Sequence, residues 1–139
     1  MTEKIFPAKL EELDNVLAFM EIECENAGCS PKDQMQINIC LEEMFVNVAH
    51  YAYGDAEGDV LLKVSSENDE ITITLEDSGK PYNPLEKEDP DITLTASERP
   101  IGGLGIYMTK KIMDEVSYIY EDGKNKFTMK KQIKGPVCK

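Results

Sequence analysis

Residues 60–79 read VLLKVSSENDEITITLEDSG. Two apolar, β-branched runs, Val60–Val64 and Ile71–Asp77, flank the polar stretch SSENDE, so the spacing predicts an antiparallel hairpin. Strand follows strand with no helix between them, which argues against a doubly wound parallel sheet. Within the second run, Ile71, Ile73, Leu75 and Asp77 share parity and therefore one face. That face is apolar, and a carboxylate at its inward end is costly unless donors reach it. Two sources of donors stand open: the backbone amides of the turn Asp77-Ser78-Gly79, or the exocyclic amine of a ligand.

Upstream, EKIF at 3–6 predicts a short edge strand stopped by Pro7. A helix follows over 8–27, with Leu10, Leu13, Leu17, Met20 and Cys24 at three- and four-residue steps and Gly28 as its end. Ser30-Pro31-Lys32-Asp33 starts a second helix: a capping hydroxyl, a proline at the first position, and an acid at the positive end of the dipole. It should run to about Tyr53, with Ile37, Cys40, Leu41, Met44, Val48 and Tyr51 facing the core. Ile39 and Val46 lie on its far side.

Downstream, residues 79–101 hold Pro81, Pro84, Pro90 and Pro100 and predict a long loop with no packed element, a kind usually functional or mobile. Gly102-Gly103-Leu104-Gly105 then opens a helix to about Glu115. Val116–Tyr120 and Lys126–Ile133 form a last hairpin around Glu121–Asn125. The order implies an α+β chain. It predicts a two-layer α/β sandwich with a helix layer on one face of a mixed, mostly antiparallel sheet.

The chain's 139 residues suit one domain spanning 1–139. Its net charge of −12 repels phosphate backbones and anionic membranes, which argues against nucleic-acid or membrane binding through a basic patch. No apolar run approaches the roughly 20 residues of a membrane span, and MTEKIFPAKLEELD does not read as a secretory leader. Cys24, Cys29, Cys40 and Cys138 form no CxxC pair, so they read as reduced, structural thiols of a cytoplasmic protein. The single histidine, His50, reads as a partly buried polar residue.

Three features could carry chemistry. Glu43 and Asn47 are four apart and share a helix face at the core's margin. A carboxylate there can act as a general base and an amide oxygen can hold Mg²⁺, although an exposed polar pair has the same spacing. Asp77 is the second feature. The third is IGGLGI at 101–106, where glycines before a helix leave amides exposed at its positive end and can cradle phosphates, or serve as a linker. It is neither a GxxxxGK[ST] loop nor a dinucleotide fingerprint. Arg99 is the only arginine, placed at the exit of the long loop where it can reach a phosphate or stay solvated.

Taken together, LEEMFVNVAHYAYGD, LEDSGKPYNPL and GGLGIYMTKKIMDEVSY resemble three successive boxes of the GHKL (Bergerat-fold) ATPase superfamily. The nearest resemblance is to its single-domain bacterial anti-sigma-factor serine/threonine kinases, over roughly residues 30–133. The resemblance implies Glu43 as general base and Asn47 as the Mg²⁺ ligand. It implies Asp77 and Gly79 as the adenine box, and Gly102, Gly103, Leu104 and Gly105 as the phosphate cradle. The late-strand threonine near adenine is best matched by Thr128, and residues 80–101 correspond to an ATP lid, with Arg99 inside it as the second catalytic candidate beside Glu43. The implied cofactors are ATP and Mg²⁺. The implied partners are a sigma factor and a STAS-type anti-sigma-factor antagonist, whose serine or threonine would be phosphorylated, with the chain a homodimer. The alternative is a catalytically weak, nucleotide-dependent module that sequesters a regulatory partner. A sensor histidine kinase fragment fits less well, because no phosphoacceptor helix pair precedes Ser30.

Overall fold

The hairpin at the centre is tighter than the sequence suggests. In the computed structural model, which describes residues 1–53, 56–86 and 103–133, strand β2 spans Asp59–Glu67 and β3 spans Glu70–Asp77. Only Asn68 and Asp69 turn the chain, at φ 54° and 61°. Two successive positive φ values match the right-handed twist of the flanking strands, and Asn and Asp tolerate them. Ser65–Glu67, assigned to the turn on polarity, therefore continue the strand. The last hairpin repeats the device: β4, Glu115–Glu121, and β5, Lys124–Gln132, are joined by Asp122 and Gly123 at φ 54° and 75°.

With β1, Thr2–Pro7, these strands make one five-stranded sheet in the order β1-β2-β3-β5-β4. Every neighbouring pair is antiparallel. The parallel component expected of a mixed sheet is absent among the described residues. Among the described residues three α-helices lie on one face: α1 (Leu13–Ala27), α2 (Pro31–Tyr51) and α3 (Gly103–Ile112). Phe6, Val60, Leu62, Val64, Ile71, Ile73, Leu75, Phe127 and Met129 alternate inward and meet Met20, Ile37, Leu41, Phe45 and Ile106 in one core. Each fully buried chain of this size contributes about 1.5–3 kcal/mol. The other sheet face is mostly polar, with Lys63 paired to Glu76 at 2.6 Å, although Ile5 and Ile119 are exposed on it, as an antiparallel sheet with one wet face allows.

Both long helices depart from the expected stripes. Leu10–Glu12 form a separate 3₁₀ turn and Leu10 is half exposed, so α1 begins at Leu13. Its buried face is Val16, Met20 and Cys24, one strict i, i+4, i+8 line that leaves Leu13 and Leu17 on its flank. Gly28, at φ 82°, closes α1 as expected, with the Cys29 amide returning to the Cys24 carbonyl at 3.0 Å. Helix α2 starts as its sequence dictates, Ser30 Oγ accepting from the Asp33 amide at 3.1 Å. Phe45, outside the expected stripe, is fully buried, whereas Tyr51 is exposed. Helix α3 stops at Ile112, short of Glu115, because the Asp114 amide is drawn to the Lys130 carbonyl at 2.9 Å and begins the β4 edge.

Candidate nucleotide-binding site

Asp77 ends β3 on its inward face and is only 7% exposed. Of its two expected donor sources, the turn amides are present. The Gly79 amide donates to its Oδ1 at 2.9 Å, the Asx arrangement. A second donor to Oδ1 comes from across the sheet, the Asn125 Nδ2 at 2.9 Å. Asp77 Oδ2 accepts no hydrogen bond from the described residues, and it belongs to a group that lines a cavity. Met44, Asn47 and Val48 of α2 form one wall of that cavity, and Tyr82, Tyr118 and Phe127 form another. Its empty space is about 430 Å³ with the open mouth included.

Gly79 is needed here for space. A Cβ on it would lie 2.1 Å from the Ala52 carbonyl oxygen and 2.6 Å from the Ala52 Cβ. The Lys80 amide donates to that same carbonyl at 2.9 Å. The exit of β3 is thus pressed against the end of α2, which brings Asp77 beside Asn47. Tyr53 fastens the same corner: its hydroxyl donates to the Asp59 carbonyl at 2.6 Å and accepts from the Ser78 amide at 2.9 Å. Burial pushes the Tyr53 phenol above its usual value, and the nearby Asp77 and Asp59 carboxylates act in the same direction.

Beyond Lys80 the chain is not the unpacked loop its prolines suggest. Pro84–Glu86 form a 3₁₀ turn, Pro84 is buried and Leu85 packs on the core. Tyr82 meets Tyr51 with ring centroids 5.6 Å apart. The rest of the expected lid, with Arg99 and Gly102, lies outside the described residues.

The sequence-predicted residues separate into groups. Asn47, Asp77 and Gly79 come together. Gly103, Leu104 and Gly105 form the first turn of α3, where unpaired amides favour anions. Glu43 reaches that turn, for a Cβ on Gly105 would lie 2.2 Å from Glu43 Oε2. Glu43 also lines a different cleft, with Met35, Asn38 and Ile39, and not the cavity shared by Asn47 and Asp77. Thr128 does not join the site. It projects from the polar sheet face, its hydroxyl 3.2 Å from that of Thr74, because its parity is opposite to Phe127 and Met129. His50 is exposed, not partly buried, and lies beside Tyr51. Asn125, at the end of the turn-like run Glu121–Asn125, joins the site unforeseen. Its parity with Phe127 and Met129 marks it as an inward polar residue, the same signal that marks Asp77.

The Asn47 amide oxygen is a hard donor of the kind Mg²⁺ takes. No group of three or more His, Cys, Asp or Glu able to cage a metal occurs among the described residues. Cys24, Cys29 and Cys40 are free thiols, each pushed above its usual pKa, chiefly by burial. No described helix is long and apolar enough to cross a membrane.

The model of the histidine kinase-like ATPase domain family matches residues 6–131. The serine-protein kinase RsbW of Bacillus mycoides (strain KBAB4) is 25% identical over 121 residues, which cover 84% of this chain and 76% of the relative. RsbW of Bacillus cereus (strain B4264) is 26% identical over the same length and shares of the two chains. Among solved structures, one comprising the RsbU and RsbW domains of a Mycobacterium tuberculosis protein aligns over 98% of this chain at TM-score 0.67 and 13% identity. The present chain spans about a third (34%) of that one. The catalytic domain of the histidine kinase ThkA aligns over 98% of this chain and 100% of its own at TM-score 0.56 and 13% identity.

Proposed function

Since the chain belongs to the histidine kinase-like ATPase domain family, of GHKL type, we propose that it is an anti-sigma regulatory factor working as an Mg-ATP-dependent protein serine/threonine kinase. Its substrate is a serine or threonine of a STAS-type antagonist, and its other partner is a sigma factor. Residues 1–139 act as one ATP-binding domain with its lid at 80–101, as a homodimer in the cytoplasm. The observation that carries this reading is the buried Asp77 carboxylate, which lines a cavity and has one oxygen bound by Gly79 and Asn125 while the other accepts no hydrogen bond from the described residues.

In this reading Asp77 accepts a hydrogen bond from the 6-amino group of adenine, and Gly79 keeps the corner tight behind it. Asn47 holds Mg²⁺, whose charge offsets that of the phosphates. The first turn of α3, with Gly102 before Gly103, Leu104 and Gly105, directs its amides at the phosphates. Glu43, set against Gly105, takes the proton of the attacking hydroxyl, and Arg99 pairs with the γ-phosphate. These roles are positioning and electrostatics, the main substance of phosphoryl transfer. Calorimetric titration with ATP and Mg²⁺ is the test. Wild type should bind ATP well above GTP, and Asp77→Asn should lose about 1.5–3 kcal/mol of binding, the worth of a hydrogen bond to a charged group. Equal binding by the two proteins sinks the reading.

A second reading is favoured by one observation, that Glu43 lines a cleft separate from the cavity. There the chain binds nucleotide without transferring phosphate, and sequesters its partner. Incubation with γ-labelled ATP and the antagonist separates the two, since only the kinase leaves label on the antagonist.

A further inference from the structure

Asn125 pairs with Asp77 across β5 and β3 and is 6% exposed. Its carboxamide is fully engaged. Nδ2 donates to Asp77 Oδ1 at 2.9 Å and to the Lys80 carbonyl at 2.9 Å, with the Gly79 carbonyl at 3.4 Å. Oδ1 accepts from the Tyr82 amide at 3.1 Å and from the Tyr118 hydroxyl. The orientation of the amide is fixed by chemistry. One end faces a backbone N–H, which can only donate, and the other faces a carboxylate and two carbonyls, which can only accept. A reversed amide would set its oxygen against the Asp77 carboxylate and take this partner from the Tyr82 amide and from the Lys80 and Gly79 carbonyls.

Asp77 therefore has Oδ1 occupied twice by the protein and Oδ2 left for whatever enters the cavity. Building on the reading of that cavity as the adenine site, we propose that Asn125 is the positioning residue that makes the pocket select a 6-aminopurine. It holds the carboxylate so that a single acceptor, and no donor, faces the ring edge. A purine bearing an amine can complete that acceptor, whereas one bearing hydrogen or a carbonyl at the same position leaves a buried carboxylate oxygen unpaired. The same side chain ties the start of the segment after β3, through Lys80 and Tyr82, to Tyr118 on β4. Carboxylate orientation and cavity wall are thus set by one residue.

The test measures affinity for ATP and for purine riboside triphosphate, which differs only in lacking the 6-amino group. The wild type, Asp77→Asn, Asn125→Ala and Tyr118→Phe are compared, with a thermal melt for each. The ratio of the two affinities reads the amine alone. Wild type should favour ATP by about tenfold or more, the range of a hydrogen bond to a charged group. Asn125→Ala should bring the ratio to within about threefold of unity, and Tyr118→Phe should lower it by about threefold, as expected for one neutral hydrogen bond removed from the chain of contacts. A residue that only packs weakens both nucleotides equally and leaves the ratio at the wild-type value, which overturns the proposal. If Asp77→Asn abolishes the preference while the Asn125 and Tyr118 variants retain it, the adenine site stands and the role of Asn125 falls. If wild type shows no preference, both fall. Should Asn125→Ala not fold, Tyr118→Phe decides alone, and an unchanged ratio in it refutes the proposal.

Discussion

Replacing Gly79 by alanine tests how the corner of the cavity is built. The added Cβ would lie 2.1 Å from the Ala52 carbonyl oxygen and 2.5 Å from its carbon. These are backbone atoms at the end of α2, so no side chain can swing away to relieve the contact. Overpacking of this kind costs about 1–3 kcal/mol. Relief by separating the two segments also stretches the Lys80 amide bond to the same carbonyl, worth about 1 kcal/mol. The expected loss is about 2–4 kcal/mol, or a fall in melting midpoint of roughly 10 °C for a domain of this size. Circular dichroism melts, with urea titration for the free energy, measure it. ATP affinity should fall as well, because the same shift moves Asp77 away from Asn47. Gly123→Ala is the control. Nothing lies within 4 Å of its Cβ position but φ is +75°, so its cost is conformational, about 1 kcal/mol. A Gly79→Ala midpoint equal to that of Gly123→Ala would refute the close-approach argument.

Gly105→Ala should behave in the opposite way to Gly79→Ala. The atoms nearest the new Cβ are Oε2, Cδ and Cγ of Glu43, at 2.2, 2.8 and 3.1 Å, a flexible side chain that can rotate, and alanine favours helix by about 1 kcal/mol. The melt should be unchanged within 2–3 °C on the scale of about 1 kcal/mol, while phosphoryl transfer falls by about 10²-fold as the base is displaced. Ionisation of Tyr53 should weaken the fold in alkali. Its folded pKa lies above its unfolded value of 10, so its contribution is complete below that value and is lost as pH rises through the folded one. Ultraviolet titration should show a late tyrosine step, absent in Tyr53→Phe. Cys24, Cys29 and Cys40 hold their protons above the usual thiol range, so native protein at pH 8 should alkylate at them far more slowly than urea-unfolded protein, as read by peptide mass mapping.

Much of the fold can be read from the chain because its cues are local. Ser30-Pro31 and Gly28 mark helix ends by chemistry acting over a few residues, and alternation in ITITLED marks a strand. Boundaries failed where tertiary pairing outweighed composition. Ser65–Glu67 are polar yet lie in β2, since β3 offers them a ladder. Asp114 leaves α3 for a carbonyl on β5. Phe45 is buried because it extends the Ile37–Leu41 line by one more turn, a position the expected stripe passes over in favour of Met44 and Val48. For the candidate site, Asp77 was legible from parity alone. Asn125 carried the same signal, but its neighbours Glu121–Lys124 are turn-like, and the register that sets it opposite Asp77 depends on residues 48 positions away. Thr128 matched a motif by type and position, and its strand parity turns it to the wet side.

The pairing of β3 with β5 also dictates a timetable. Asp77 is laid down with the first hairpin, but the partner that orients it arrives 48 residues later, after α3 and β4 have been threaded between. Closing so long an excursion costs entropy before any contact repays it. A ribosome-bound chain halted before Asn125 would therefore display an acid on an open strand edge, not a finished receptor, and recognition of a purine would be among the last abilities the molecule acquires.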